Sequence, residues 1–230
     1  MRYSGLLDFS HHLSNQNILA VFSDKTFPAD GLEGRKNFAI HSGFDQNSLI
    51  IPKQTHSINV TCVNNPGKVL NTDGVFTMVP TLTCSLQVAD CLPIYFSHSS
   101  KDIYGLVHAG WRGLVNGIIE ESAILLKQMN IPLINMEILI GPSIQKCCFE
   151  VNDDVINQFD SKFILKKNNG KFQIDLQKFA IWKLIDMGFN SKNIMNIQDC
   201  TFCNSSNYHS YRRNGKKAGR MIGLIGINSN

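Results

Sequence analysis

Three side chains in this sequence could do chemistry together: His56 in "PKQTHS", Cys91 in "LQVADCLPIYF" and His108 in "IYGLVHAGWRGL". The last two stretches share a grammar, in which an apolar run leads up to one reactive side chain. His56 precedes Cys91 by 35 residues and His108 follows it by 17. Ligands of a local zinc finger come in closely spaced pairs, so these three would have to be gathered at one end of a sheet. Two imidazoles and a thiolate make a three-ligand zinc set that leaves a fourth position for water or substrate. Through such a position a metal lowers the pKa of bound water or polarises an oxygen. The same trio is the equatorial set of blue-copper centres. A metal-free reading makes Cys91 a thiolate nucleophile activated by His108, with Asp90 as an orienting or acidic group.

The bland alternative is a small core cysteine, since cysteine is among the most buried residue types. Two features weigh against it. Asp90 sets a charge at the end of a buried strand, where an unpaired charge is costly. Gly110, Arg112 and Gly113 around Trp111 give a backbone that a ligand can approach closely.

The elements that must position these residues follow from pattern. The first 35 residues are weakly patterned, and "FPADGLEGRKN" reads as loop. Short β-branched segments follow at "FAI" from Phe38, at 49–51 and at 58–63. Longer apolar runs at 82–89 and 103–109 predict strands covered on both faces. Over 114–129 the period changes: Leu114, Ile118, Leu125 and Met129 share one face, which predicts an amphipathic helix. Residues 136–141 return to strand. A second helix is expected over 175–189, with Asp175 as N-cap and Gly188 near its end. Residues 220–227 make a closing strand. Strands alternating with a few helices predict an α/β or α+β fold, and no linker or repeat divides the chain. One domain over 1–230 is expected, with 1–32 as a weakly patterned N-terminal segment.

Composition narrows the function classes. The chain has 230 residues, 43% apolar and 17% charged, enough for a sizeable core. A formal charge of +4 is too modest to argue for nucleic acid. No apolar run is long enough for a transmembrane helix, and no signal peptide is legible, so a cytoplasmic location is expected. Seven cysteines cannot all pair, and reduced thiols are the simpler reading. Of these, "CTFC" (200–203) has the spacing of a redox dithiol or half a zinc site. No second CxxC exists, so the pair is read as structural.

"PKQTHS", "NTDGVFT", "ADCLPI", "VHAGWRGL", "GPSIQKCCFEV" and "SYRRNGKKAGRM" occur in that order. In this the chain resembles the laccase-domain family, whose members have been called multicopper polyphenol oxidase-like proteins and peptidoglycan editing factors. The family is now regarded as zinc-dependent purine nucleoside phosphorylases with adenosine deaminase activity. The resemblance implies an α/β sandwich similar to the catalytic domain of bacterial cytotoxic necrotizing factors. It implies one zinc ion on His56, Cys91 and His108, and substrates such as adenosine, inosine, guanosine and methylthioadenosine together with phosphate. Arg35 matches the family's Asn-Arg pair, with Gly34 standing in the Asn position. Cys147 and Cys148 are given no role.

The histidines test the oxidase name. A multicopper oxidase needs a trinuclear cluster built from H-x-H pairs, and none of the seven histidines is separated from another by one residue. Copper in the His₂Cys set would still bind well, since divalent affinity peaks at copper. Zinc is the expected metal, with copper the lesser alternative. The H-x-E and P-C-x-x-C signature of nucleobase deaminases is absent, so deamination would need other machinery. Phosphorolysis needs an anion pocket, and Arg35, Arg112, Arg212 and Arg213 are the candidates, because a guanidinium fork binds two oxygens at once. Asp90 is the candidate for proton transfer or for orienting a histidine. Only Tyr211 interleaves with the basic residues of 212–220, which favours site arginines over a nucleic-acid patch.

Overall fold

In the computed structural model, which describes residues 5–29, 31–167 and 170–227, most of the strand-forming runs assemble into two six-stranded sheets. Strands β1 (Leu6–Asp8), β2 (Ile18–Ser23), β3 (Leu49–Pro52), β4 (Val60–Cys62) and β5 (Gly67–Val69) come first, with helix α1 (Gly31–His41) between β2 and β3. Next are β6 (Gly74–Thr77), β7 (Thr83–Val88), β8 (Leu92–His98) and β9 (Tyr104–Ala109). They are followed by α2 (Trp111–Asn116), α3 (Ile118–Gln128) and β10 (Met136–Ile140). The remainder holds β11 (Glu150–Val151), α4 (Asp153–Ile156), β12 (Ile164–Lys166), β13 (Phe172–Ile174) and α5 (Leu176–Met187). It closes with β14 (Ile194–Asn196), α6 (Tyr211–Asn214) and β15 (Met221–Ile227).

The first sheet runs β1-β2-β15-β7-β3-β5 and the second β14-β10-β8-β9-β6-β4, with a small sheet β11-β13-β12 beside them. Both large sheets are mixed: β15 is antiparallel to β2 and β7, whereas β3 is parallel to β7 and β5. Phe22, Ile50, Leu86, Tyr95, Leu106 and Met221 fill the space between the sheets. On its other face the second sheet packs Phe96 and Ile138 against Ile118 and Leu126 of α3 and Ala180 of α5. On the outer face of the first sheet, Val21, Ile222 and Leu224 meet Phe38 and Ala39 of α1. The layer order is helix, sheet, sheet, helix, the mixed α/β sandwich expected. Every residue of β8 and β9 is buried, as strands covered on both faces require.

Several local expectations change. The expected loop and the "FAI" strand merge into α1, and the weakly patterned first segment supplies β1 and β2. Gly31 and Gly34 give α1 low intrinsic helicity, and the docking of Phe38 and Ala39 on the sheet makes up the difference. The helix expected over 114–129 begins earlier and is two helices, broken at Gly117 with φ 111°. The second expected helix is α5, capped as anticipated: Asp175 accepts from the Lys178 N–H at 2.9 Å, and Gly188 closes it in the left-handed region.

Candidate metal centre and cavity

Register brings the three sequence-distant side chains together. In the antiparallel pair of β8 and β9, Leu92 faces Ala109 and Pro93 faces His108, so Cys91 at the head of β8 lies beside the tail of β9. β6 pairs on the other side of β9, with Gly74 opposite Val107, and the His108 N–H donates to the Asp73 carbonyl at 2.7 Å. The third member arrives on the loop after β3. Asp73 holds that loop: its carboxylate accepts from the N–H groups of Thr55 (3.0 Å), His56 (3.1 Å) and Ser57 (2.7 Å) and from the Ser57 hydroxyl at 2.7 Å. His56 is thereby fixed at φ 59°, a left-handed conformation that costs an ordinary residue about 1 kcal/mol.

The same carboxylate accepts a hydrogen bond from His108 Nδ1 at 2.8 Å. That bond leaves Nε2 as the nitrogen available to a metal, the arrangement in which a carboxylate sets the tautomer of a ligating imidazole. His56 Nε2 stands 3.9 Å from Cys91 Sγ, and one ligand atom from each of the three residues lies within 4.8 Å of the others. Gly110 makes this closeness possible. A Cβ there would sit 3.1 Å from both Cys91 Sγ and His56 Cδ2.

The electrostatics of the set suit a thiolate. Burial alone would raise the Cys91 pKa, but the charges and hydrogen bonds of His108 and His56 outweigh it and lower it to about 6. Burial opposes the charged form of His108, yet Cys91 and Asp73 raise it to about 9. For Asp73, burial is opposed by hydrogen bonds from His108, Ser57 and Thr55, which hold the carboxyl well below the usual carboxylate range. Two imidazoles and a low-pKa thiol on one open face fit a borderline-soft ion such as zinc, with room for a further ligand.

That face looks into a cavity of about 750 Å³ lined by His56, Cys91, His108, Asp90, Arg35, Arg112 and Arg212 among others. Arg35, on α1, is buried; it donates to the Ser85 hydroxyl at 2.9 Å and more weakly to Gln54 and Gln87. Among the described residues no carboxylate pairs with it, and burial lowers it only to about 10, so it keeps its charge at neutral pH. Arg112 stacks over Trp111, with its guanidinium carbon 4.4 Å from the ring centre. Arg212 lies over Phe149 and donates to the Glu150 carbonyl at 2.7 Å.

The chain belongs to the laccase family. The family described as multi-copper polyphenol oxidoreductase laccase matches residues 15–228. A purine nucleoside phosphorylase of Staphylococcus epidermidis is 31% identical over 80% of this chain and 74% of its own. An adenosine deaminase of an unknown prokaryote is 30% identical, over 95% of this chain and 89% of its own. Among solved structures, the hypothetical protein YfiH of Bacillus licheniformis superposes with a TM-score of 0.88 at 25% identity, covering 98% of this chain and 97% of that one.

Two expectations for this laccase-family site change in the structure. The histidine-orienting carboxylate is Asp73, not Asp90. Asp90, at φ 85°, accepts from the Thr201 hydroxyl (2.7 Å), the Ser210 hydroxyl (3.0 Å) and the Arg212 N–H (2.7 Å). It fastens the 201–212 segment to the head of β8, beside Cys91. Arg213 is not a lining residue either: its guanidinium donates to the carbonyls of Thr201, Phe202 and Tyr208 and to the Asn214 side chain. In contrast, Arg220, Gln54, Gln87, Trp111, Phe149 and Tyr211 do line the cavity. Asp73 carried a faint signal in "NTDGVFT", a charged residue at the mouth of a buried strand.

Proposed function

We propose that this chain is a zinc-dependent purine nucleoside phosphorylase with adenosine deaminase activity, working in the cytoplasm. The observation that carries the reading is the His56–Cys91–His108 set sharing one cavity with the buried Arg35, which has no carboxylate partner among the described residues. The cavity volume, about 750 Å³, lies within the range of small-molecule sites. Seven cysteines, an odd count in a chain with a sizeable core, support reduced thiols and a reducing compartment. Relatives bearing the two activity names support the choice of reaction.

In phosphorolysis, a phosphate oxygen bonds to C1′ as the C1′–N9 bond breaks; its electron pair goes to the purine, which takes up a proton. Arg35, Arg112 and Arg212 hold the phosphate by paired N–H donors. Trp111, Phe149 and Tyr211 offer aromatic surface to the base. Asp73 keeps His108 in one tautomer, and Asp90 keeps Arg212 at the cavity wall. Zinc, when bound, supplies a Lewis acid for a substrate oxygen or for the water that replaces the 6-amino group as ammonia leaves. Adenosine, inosine, guanosine and methylthioadenosine are the nucleosides proposed as substrates.

The thiolate–imidazolium character of Cys91 and His108 favours one second reading, a metal-free Cys-His hydrolase. Zinc content and turnover of adenosine with phosphate, compared in wild type and Cys91→Ala, separate the two. The phosphorylase reading expects Cys91→Ala to lose one zinc per chain and all formation of adenine and inosine. Turnover that survives chelation and stops on alkylation of Cys91 would overturn it in favour of the hydrolase.

A further inference from the structure

Outside this site the fold gathers a second set of metal-capable side chains. Cys147 and Cys148, in the turn before β11, meet Cys200 and Cys203 of "CTFC". The sulfurs of Cys147 lie 3.7 Å from those of Cys200 and Cys203, and Cys148 lies 3.2 Å from Cys203. All four are within 4.8 Å of one another, and all are free thiols. Four sulfurs each about 2.3 Å from a tetrahedral zinc stand about 3.8 Å apart. A single disulfide would account for one close pair; a common centre accounts for all four.

We propose that Cys147, Cys148, Cys200 and Cys203 bind one zinc ion as a closed four-thiolate structural site, separate from the His56–Cys91–His108 centre. An all-thiolate tetrahedral set selects zinc among the common divalent ions, and a closed set of four holds structure rather than substrate. The backbone is already arranged for it. The Gln145 N–H donates to Cys200 Sγ at 3.5 Å, the kind of bond that steadies a thiolate. Ser143 bridges to Cys200 in parallel fashion, with the Thr201 N–H donating to the Ser143 carbonyl at 3.2 Å. The two ligand-bearing segments are thus paired before any metal enters. Arg213 places its positive guanidinium on the Thr201 and Phe202 carbonyls inside the CxxC turn, where it offsets the net negative charge of a four-thiolate zinc site.

The position gives the ion a task. Cys148 is followed by Phe149 and Glu150, which hold Arg212, and Cys200 is followed by Thr201, which holds Asp90. Zinc at the four thiols would lock both supports of the cavity wall into one unit. Individually, exposed thiols such as Cys147 and Cys203 give no sign of this.

Zinc per chain, measured on full-length protein grown in zinc-supplemented medium, tests the proposal independently of any activity. Two zinc are expected in wild type, one in Cys91→Ala, one in Cys147→Ser/Cys203→Ser, and none when all three changes are combined. Alkylation and peptide mapping of wild type guards against a variant that fails to fold. Cys147, Cys148, Cys200 and Cys203 should be protected together and released together by chelator. An unchanged zinc count in the double variant would overturn the assignment. So would immediate labelling of Cys147 and Cys203 in zinc-replete protein, a Cys148–Cys203 disulfide without metal, or an iron–sulfur chromophore.

Discussion

Asp73 is the residue on which the candidate centre turns. Its carboxylate accepts six hydrogen bonds and couples the His56 loop to the His108 ring, so Asp73→Asn removes the charge while leaving shape nearly intact. An amide in this place would also turn two donors toward N–H groups. We expect a loss of about 3 kcal/mol in stability, as for a broken buried charge pair, read from the denaturant midpoint. Zinc affinity at His56–Cys91–His108 should fall roughly 10–100-fold, as for other carboxylates behind metal-bound histidines. Because the folded pKa of Asp73 is depressed, its contribution is present above the ordinary carboxylate range and is lost only as pH falls through the lower folded value. A second expectation concerns Cys91 in metal-free protein. Its alkylation rate should rise with pH and level off with a midpoint near 6, against the ordinary 9.0; a midpoint near the ordinary value would mean that His56 and His108 do not stabilise the thiolate. At this scale the sequence was half legible. His56, Cys91 and His108 announce themselves by type at strand ends. Asp73 does not, because its role exists only once β6, β9 and the His56 loop are side by side. Arg212 and Arg213 are neighbours in sequence, and only the fold reveals that one faces the cavity while the other ties down three carbonyls.

Among the elements, α1 and the short α2 carry the most information about the site. Gly34 lies on α1 next to Arg35, where a Cβ would come within 2.5 Å of the Ala29 carbonyl carbon. That contact is with backbone and cannot be relieved by rotating a side chain, so the glycine is needed for α1 to seat. Gly34→Ala should cost about 2 kcal/mol, within the range for overpacking, and should raise the KM for phosphate through displacement of Arg35. Thermal unfolding and phosphate kinetics read the two effects. Gly110, at the N-terminus of α2, meets Cys91 and His56 of the candidate metal centre instead. Gly110→Ala should weaken zinc binding with little change in fold, measured by competition with a chromogenic chelator. The sequence marks Gly110 as a place of close backbone approach, but what approaches it, Cys91 and His56, is far along the chain; Gly34 meets Ala29 only once the chain has turned into α1. Helix α5 was legible because its signals are local: a capping Asp175, an apolar face and a terminating Gly188. Helix α1 carries weaker ones, Glu33 in its first turn and Gly43 at φ 84° past its end, and two glycines in its body mask them.

The whole molecule is a layered sandwich whose class follows from alternating strands and helices, while its sheet orders do not. β15, last in sequence, lies between β2 and β7, and β8, β9 and β10 sit inside the second sheet. Such orders depend on which buried faces fit, and apolar runs of similar composition do not distinguish them. Layering also explains why a cation can be buried on α1: Arg35 reaches past the helix to Ser85, inside the first sheet, and among the described residues meets amides and a hydroxyl but no acid. Held by neutral groups among the described residues, that guanidinium gains from a bound anion. Inorganic phosphate should therefore act as a thermal protectant, raising Tm with concentration in the manner of any ligand selective for the native state. Arg35→Met should remove that protection and at the same time raise the melting temperature of the phosphate-free protein, since an apolar side chain of similar length replaces a desolvated cation. Resistance to heat and hunger for anions would then be opposite readings of one side chain.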